Sequence, residues 1–282
     1  MSKAPIPSST APASTRDTRA ADGGGTQLIH RAAAVLRAVA KAGPEGATLA
    51  EVARGEALPR STVHRILGAL VAERLVAEPG AGKRYRMGEL IHELSLAPSA
   101  SALEVAHWRG AVAAVARRTG ATAYLMRRSG VEAVCLLKAD SQALVRFVPV
   151  EVGQRRLLGV GAGATALLAA LDDVQCQQLI DLIAPGLQRY PRLDADSLRA
   201  AVRLTRQTGF AISQGTVVAD GFGMGLAVPD VGGQPHLALS LAAHASMVTE
   251  SVITEWKQVL AQEMAAALSY DGVGSAGRGR GG

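Results

Sequence analysis

Arg60, Ser61, His64 and Arg65 are the residues of this chain best placed to do chemistry. They open the stretch Leu58-Pro59-Arg60-Ser61-Thr62-Val63-His64-Arg65-Ile66-Leu67. Their guanidinium, hydroxyl and imidazole groups donate to phosphate oxygens or to base edges. Val63, Ile66, Leu67, Leu70 and Val71 recur at the spacing of one apolar helix face. Proline fits a first helical turn, where its missing N–H has no partner to lose. A helix with donors crowded into its first two turns suits a major groove. A surface helix with a solvated polar face has the same pattern, so the flanking elements must decide.

Upstream, Thr48 and Glu51 form a capping-box pattern ahead of Leu49, Val52 and Ala53. This predicts a short helix that ends near Gly55. Before it, Leu28, Ala32, Val35, Leu36 and Val39 mark a longer amphipathic helix closed by Gly43-Pro44. Downstream, Leu75-Val76-Ala77 and Tyr85-Arg86-Met87 read as two short strands around the turn Pro79-Gly80-Ala81-Gly82. Lys83 and Arg84 sit at the tip of that hairpin. Three helices followed by a basic two-stranded wing make a winged helix-turn-helix. Charge points the same way. Residues 26–92 carry ten Lys+Arg against six Glu, while the whole chain has a formal net charge of +6. Most of the positive excess therefore lies in one part of the chain, as a phosphate-binding surface requires.

The run Thr48-Leu-Ala-Glu-Val-Ala-Arg, the stretch Leu58 to Leu67, then Leu70-Val-Ala-Glu-Arg-Leu-Val and Lys83-Arg-Tyr-Arg-Met-Gly closely resemble the IclR family of bacterial transcriptional regulators. The resemblance runs from about residue 27 to 268. It implies an α+β chain: an N-terminal winged helix-turn-helix and a C-terminal GAF-like effector domain with an antiparallel sheet. The family usually has glycine before the Leu-Pro, and here Ala57 stands there. A differently shaped turn between the two helices is the expectation.

The chain has 282 residues, enough for two domains with separate cores. Residues 1–25, rich in Pro, Ser, Thr, Ala and Gly, read as a disordered tail. The winged domain is expected over 26–95, a linker helix over 96–108, an effector-binding and oligomerisation domain over 109–270, and a flexible tail over 271–282. The uncharged, glycine-interrupted stretch of 15 residues from Leu157 to Leu171 is too short to span a bilayer. Aromatic residues make up only 3%, which disfavours base-stacking platforms for single strands. Cys135 and Cys176 are the only cysteines, a usage that fits the cytoplasm, and no Cys/His spacing suggests zinc.

In the second domain a helix is expected from about Leu103 to Thr119, stopped by Gly120. Strands follow over Ala121–Arg127, Glu132–Lys138 and Leu144–Val150. A helix is entered through Gly159 to Leu171. Another covers Val174–Ile183, ended by Pro185-Gly186, and a third covers Leu198–Thr208, capped by Asp196. Further strands are expected at Phe210–Ser213, Met224–Val228 and His236–Ala243, the last two joined by Asp230-Val-Gly-Gly. A last helix, Glu250–Leu268, closes the domain. Strands at both ends with helices between them indicate an antiparallel α+β domain.

Gly159-Val-Gly161-Ala-Gly163 invites a dinucleotide reading, but no good strand precedes it and no acidic residue follows at the needed place. No nucleophile elbow, P-loop or carboxylate pair in apolar surroundings occurs, so neither an enzyme nor a cofactor is expected. The resemblance implies instead that this segment closes a small-molecule pocket. Relatives carry polar residues there, and here Gly159 and Thr165 replace the histidine-like and lysine-like positions. The candidate effector residues are Met126, Gly161, Ala162, Gly163, Met224, Leu239 and Ser240. With those donors lost, an aromatic or weakly polar effector is expected. The glycines serve equally well to let a helix pack closely on a sheet.

The DNA-binding candidates are Arg60, Ser61, Thr62, His64, Arg65, Lys83 and Arg84. The expected protein is a regulator, acting as a repressor. Its partners are double-stranded operator DNA, a small organic effector and further copies of itself as a homodimer or homotetramer, with no membrane. An enzyme tethered to DNA and a ligand-independent DNA binder are the alternatives.

Overall fold

The computed structural model describes residues 19–77, 82–97, 99–140, 150–190, 192–229 and 236–275. The chain divides into two compact units between Leu96 and Ala97.

The first unit contains α1 (Arg19–Lys41), β1 (Ala47–Thr48), α2 (Leu49–Gly55), α3 (Arg60–Ala72), β2 (Val76–Ala77), β3 (Arg84–Met87) and α4 (Glu89–Ser95). Helix α1 begins at Arg19, so residues 19–25, read as tail, are helical. Thr48 caps α2 in the expected box: its hydroxyl accepts from Glu51 N–H, and Glu51 accepts from Thr48 N–H. Val35, Val39, Val52, Val63, Ile66, Leu67, Leu70 and Val76 form one core under the three helices. Strand β3 pairs antiparallel with both β2 and β1. The pairing with β1 was not expected, because two residues carry no periodicity. Glu78 to Ala81, the heart of the expected turn, lie outside the described residues.

The turn after α2 answers the question raised by Ala57. Leu58 N–H donates to Ala53 C=O at 3.0 Å, and Ala57 N–H donates to Arg54 C=O at 3.4 Å. These two bonds define a Schellman motif. Its left-handed position is held by Ala57, with φ of 51°. The turn thus has the left-handed form that glycine adopts freely. Alanine holds it because Leu58 packs on the core beside Ala53. Arg74 closes α3 in the same way, with φ of 57° and Leu75 N–H donating to Leu70 C=O.

The second unit contains α5 (Ala100–Thr119), β4 (Thr122–Ser129), β5 (Glu132–Ala139), β6 (Arg155–Leu157), α6 (Ala162–Ala169), α7 (Asp173–Leu187), α8 (Ala195–Thr208), β7 (Ala211–Gln214), β8 (Gly221–Ala227), β9 (Leu237–His244) and α9 (Glu250–Ser275). The sheet order is β6-β5-β4-β9-β8-β7, with every neighbouring pair antiparallel. Helices cover both faces. Helices α5 and α9 bring Trp108, Val112, Trp256 and Leu260 onto Leu125, Met224, Leu239 and Leu241. On the other face α6, α7 and α8 bring Leu167, Leu168, Ile180 and Leu198 onto Tyr124, Met126 and Ala238. Two-sided cover explains why β4, β8 and β9 read as nearly continuous apolar runs.

Three expectations change in detail. Most of the strand expected at Leu144–Val150, and the turn from Asp230, lie outside the described residues; β6 is the neighbour of β5. Helix α7 runs through Pro185 and Gly186 to Leu187. Proline removes only one late hydrogen bond there, and fully buried Leu187 anchors the last turn. Asp194, not Asp196, caps α8, in a reciprocal pair with Ser197.

Candidate DNA-binding face and effector cavity

Helix α3 separates its residues by face. Val63, Ile66, Leu67 and Leu70 are buried, while Arg60, Ser61, His64 and Arg65 are exposed. Thr62 is half-buried on the flank. Among the described residues no hydrogen bond or ion pair holds the side chains of Arg60, Ser61, His64 or Arg65. Positions 60 and 64, and 61 and 65, are four apart, so the donors form one ridge. Pro59 gives α3 no side-chain cap, and its first-turn amides add to that ridge. Lys83 is also exposed, at the start of the wing strand, with φ of 53°.

Arg84 does not belong with them. Its guanidinium donates to Gly46 C=O at 2.7 Å and to the Glu51 carboxylate at 3.3 Å. It clips β3 to the capping box of α2 and is spent inside the domain. The expected phosphate contact from Arg84 is therefore withdrawn. Sequence alone missed this because Gly46 and Glu51 lie more than thirty positions away. Arg86 and Arg74 are engaged likewise, Arg86 on Pro44 C=O and Arg74 on Glu89 and Glu93. Fewer basic side chains are uncommitted than the count suggests, and the uncommitted ones include Arg60, Arg65 and Lys83.

Twofold residue alternation decides the second site. Tyr124, Met126 and Ser240 face α6 and line a cavity of about 60 Å³, together with Gly161, Ala162, Gly163, Arg156, Val160 and Val217. Met224 and Leu239 point to the opposite face, into the core with α5 and α9. Both are fully buried there and do not line the cavity, so they leave the set of effector residues. Leu239 alternates with Ser240 and Met224 with Gly223 along their strands, so each neighbour serves the other layer.

Close packing and the cavity are one construction. A Cβ built on Gly225 of β8 would meet Ala162 C=O at 2.7 Å and Gly163 N at 2.9 Å. One built on Gly163 would meet Met126 Cγ and Ser240 Oγ, both at 2.8 Å. The N-terminus of α6 thus rests on bare backbone, and its first turn forms the cavity wall. Thr165, at the lysine-like position, turns inward and donates to Gly159 C=O and Gly161 C=O, each at 3.0 Å. It shapes the loop rather than facing a ligand.

The residue that sequence reading missed is Arg156. Strand β6 carries it into the cavity. Burial pulls its guanidinium below the ordinary arginine value, with Tyr190, Tyr124 and Cys135 acting in the other direction. Arginine stays charged even so. Burial likewise pushes the Tyr124 phenol well above its ordinary value and the Cys135 thiol up to about 12. The wall is apolar, as expected, but one corner is cationic. The Arg155-Arg156 pair before an apolar run was the available signal.

The profile described as the IclR helix-turn-helix domain matches residues 28–80. The profile of the bacterial transcriptional regulator IclR C-terminal domain matches residues 100–270. The chain belongs to the IclR family of bacterial transcriptional regulators. It is 46% identical over 83 residues to the HTH-type transcriptional regulator Rv1719 of Mycobacterium tuberculosis, a match that covers 29% of this chain and 30% of that protein. That match therefore spans less than a third of the relative's length. The crystal structure of an IclR-type regulator from Alicyclobacillus acidocaldarius superimposes with a TM-score of 0.69 at 22% identity, covering 86% of this chain and 98% of the other. An IclR homologue from Microbacterium hydrocarbonoxydans, solved in complex with 4-hydroxybenzoate, gives 0.65 at 19% identity, with coverage of 86% and 99%. At these identities the likeness is one of fold. Among the described residues no helix is long and apolar enough to cross a membrane, and no group of side chains could hold a metal ion.

Proposed function

We propose that this IclR-family chain is a cytoplasmic DNA-binding repressor whose grip on an operator is modulated by a small organic effector held in the cavity over α6. The observation that carries the DNA reading is the exposed donor ridge of α3, without partners among the described residues and standing on a packed apolar face. Arg60 reads a guanine edge, and Ser61, Thr62 and His64 meet base edges or nearby phosphates. Arg65 and Lys83 hold phosphates and set the salt dependence.

The protein acts as a homodimer, pairing further into a tetramer, on a pseudo-palindromic site. Half-sites then lie about 34 Å apart, one helical turn, or a multiple of it. Exposed large apolar side chains support association: Ile29 is 71% exposed, Leu96 70% and Leu103 73%. The effector reading is supported by a cavity with a few convergent polar groups in an apolar wall. A homologue of the same fold was solved with 4-hydroxybenzoate.

A gel shift with the DNA upstream of the protein's own gene tests the reading. A retarded band that resists random duplex, weakens with salt and shifts with a bound metabolite is expected. Equal affinity for operator and random DNA would overturn the assignment. Raised transcription in a deletion strain distinguishes a repressor from an activator.

A further inference from the structure

Among the described residues from Glu89 to His107, none is buried. That stretch holds α4 and the first two turns of α5, and it carries the chain from the first unit to the second between Leu96 and Ala97. Helix α4 has seven residues, and Trp108 is the first residue of α5 that is buried. A helix as short as α4 is marginal by itself, and most helical stability in proteins comes from packing an apolar face. Contacts other than burial must therefore hold both pieces in place.

Arg74, at the end of α3, holds α4. Its guanidinium donates to the Glu89 carboxylate at 3.3 Å and to the Glu93 carboxylate at 2.5 Å. Glu89 and Glu93 stand four positions apart on one helix face, so a single guanidinium reaches both. The C=O of Arg74 also accepts from Leu90 N–H at 3.2 Å. An exposed ion pair contributes little alone, but here two carboxylates and a backbone bond converge on one residue. His236, at the entry to β9, holds α5. Its Nε2 donates to the Glu104 carboxylate at 2.7 Å. His107 adds a bond from its own Nε2 to Ala267 C=O of α9 at 3.0 Å. Strand β9 further on lends Ser240 and Ala242 to the cavity wall. One fastening thus sits on the helix that carries the donor ridge, and the other on a strand that borders the cavity.

We propose that residues 89–107 form a connector held by two side-chain pins, Arg74 and His236, rather than by burial. Either end can detach while both cores stay folded. Arg74 and His236 are positioning residues that act through the connector. A pin released at either end gives the chain a second arrangement, which ligand-controlled DNA binding requires.

Hydrogen exchange on the full chain, read by mass spectrometry on peptides covering 89–96 and 100–107, tests this. Both segments are expected to be protected in the unaltered chain. Arg74→Met should speed exchange about tenfold or more in the first segment and leave the second unchanged. His236→Leu should do the reverse. Arg74→Lys and His236→Gln keep a donor at each pin and should retain most of the protection, which a role in packing alone would not allow. Free exchange in the unaltered chain, no change in the Met and Leu variants, or faster exchange throughout either core would overturn the proposal. Protection that rises with protein concentration would overturn it too, since a second copy would then cover the connector.

Discussion

Arg60, Lys83 and Arg84 look alike in composition and differ in what they touch. Arg60 is exposed on the donor ridge, Lys83 is exposed on the wing, and Arg84 is bonded to Gly46 and Glu51. Three alanine variants should therefore behave differently. Arg60→Ala is expected to lose about 1–3 kcal/mol on the operator and little on random DNA. Lys83→Ala should weaken both alike and flatten the salt slope by about one unit of log affinity per log salt. Arg84→Ala should leave that slope unchanged and lower the melting temperature. Binding isotherms at several salt concentrations, with a melt for each variant, decide the matter. Ala57 supplies a fourth residue-scale case. Its left-handed backbone costs alanine about 1 kcal/mol that glycine does not incur. Ala57→Gly should raise the urea midpoint of the full chain by an amount near that figure, and an unchanged or lower midpoint would contradict the strain.

At the scale of elements, α6 and β8 depend on each other. Gly225 lets the first turn of α6 lie on the sheet, and the atoms that a Cβ would strike are backbone. Backbone cannot rotate away as a side chain does, so the helix itself must move. Gly225→Ala is expected to cost about 1–3 kcal/mol, as overpacking does. It should also displace the cavity wall, so that effector response is lost while operator affinity without effector persists. Fluorescence anisotropy on the operator, with and without effector, separates the two effects. The turn after α2 shows a different relation between sequence and element. Its amphipathic helices and capping box were legible, since each depends on residues within one or two turns. Its shape was not, because the glycine that usually announces it is absent. Hydrogen bonds from Leu58 and Ala57 keep the motif regardless.

For the whole molecule, an effector can change DNA affinity only through unequal affinity for two arrangements of the protein. Linkage makes the effect reciprocal: if the effector weakens operator binding by some factor, operator DNA must weaken effector binding by the same factor. Calorimetric titration of effector into the free protein and into the protein–operator complex measures both sides of that cycle. Unequal factors would mean that a further equilibrium, such as a change of oligomeric state, enters one titration and not the other. Local patterns were enough for much of this molecule. The donor ridge of α3, the capping box of α2, most strands and the glycine-rich approach to α6 follow from spacings of two to four residues, and so stand in the sequence itself. Tertiary structure alone decided which basic residues were already spent and which face of β8 and β9 looked into the cavity. It alone brought Arg156 beside Tyr124. Those outcomes depend on partners dozens of positions apart, on a one-residue register and on burial, none of which a local pattern encodes.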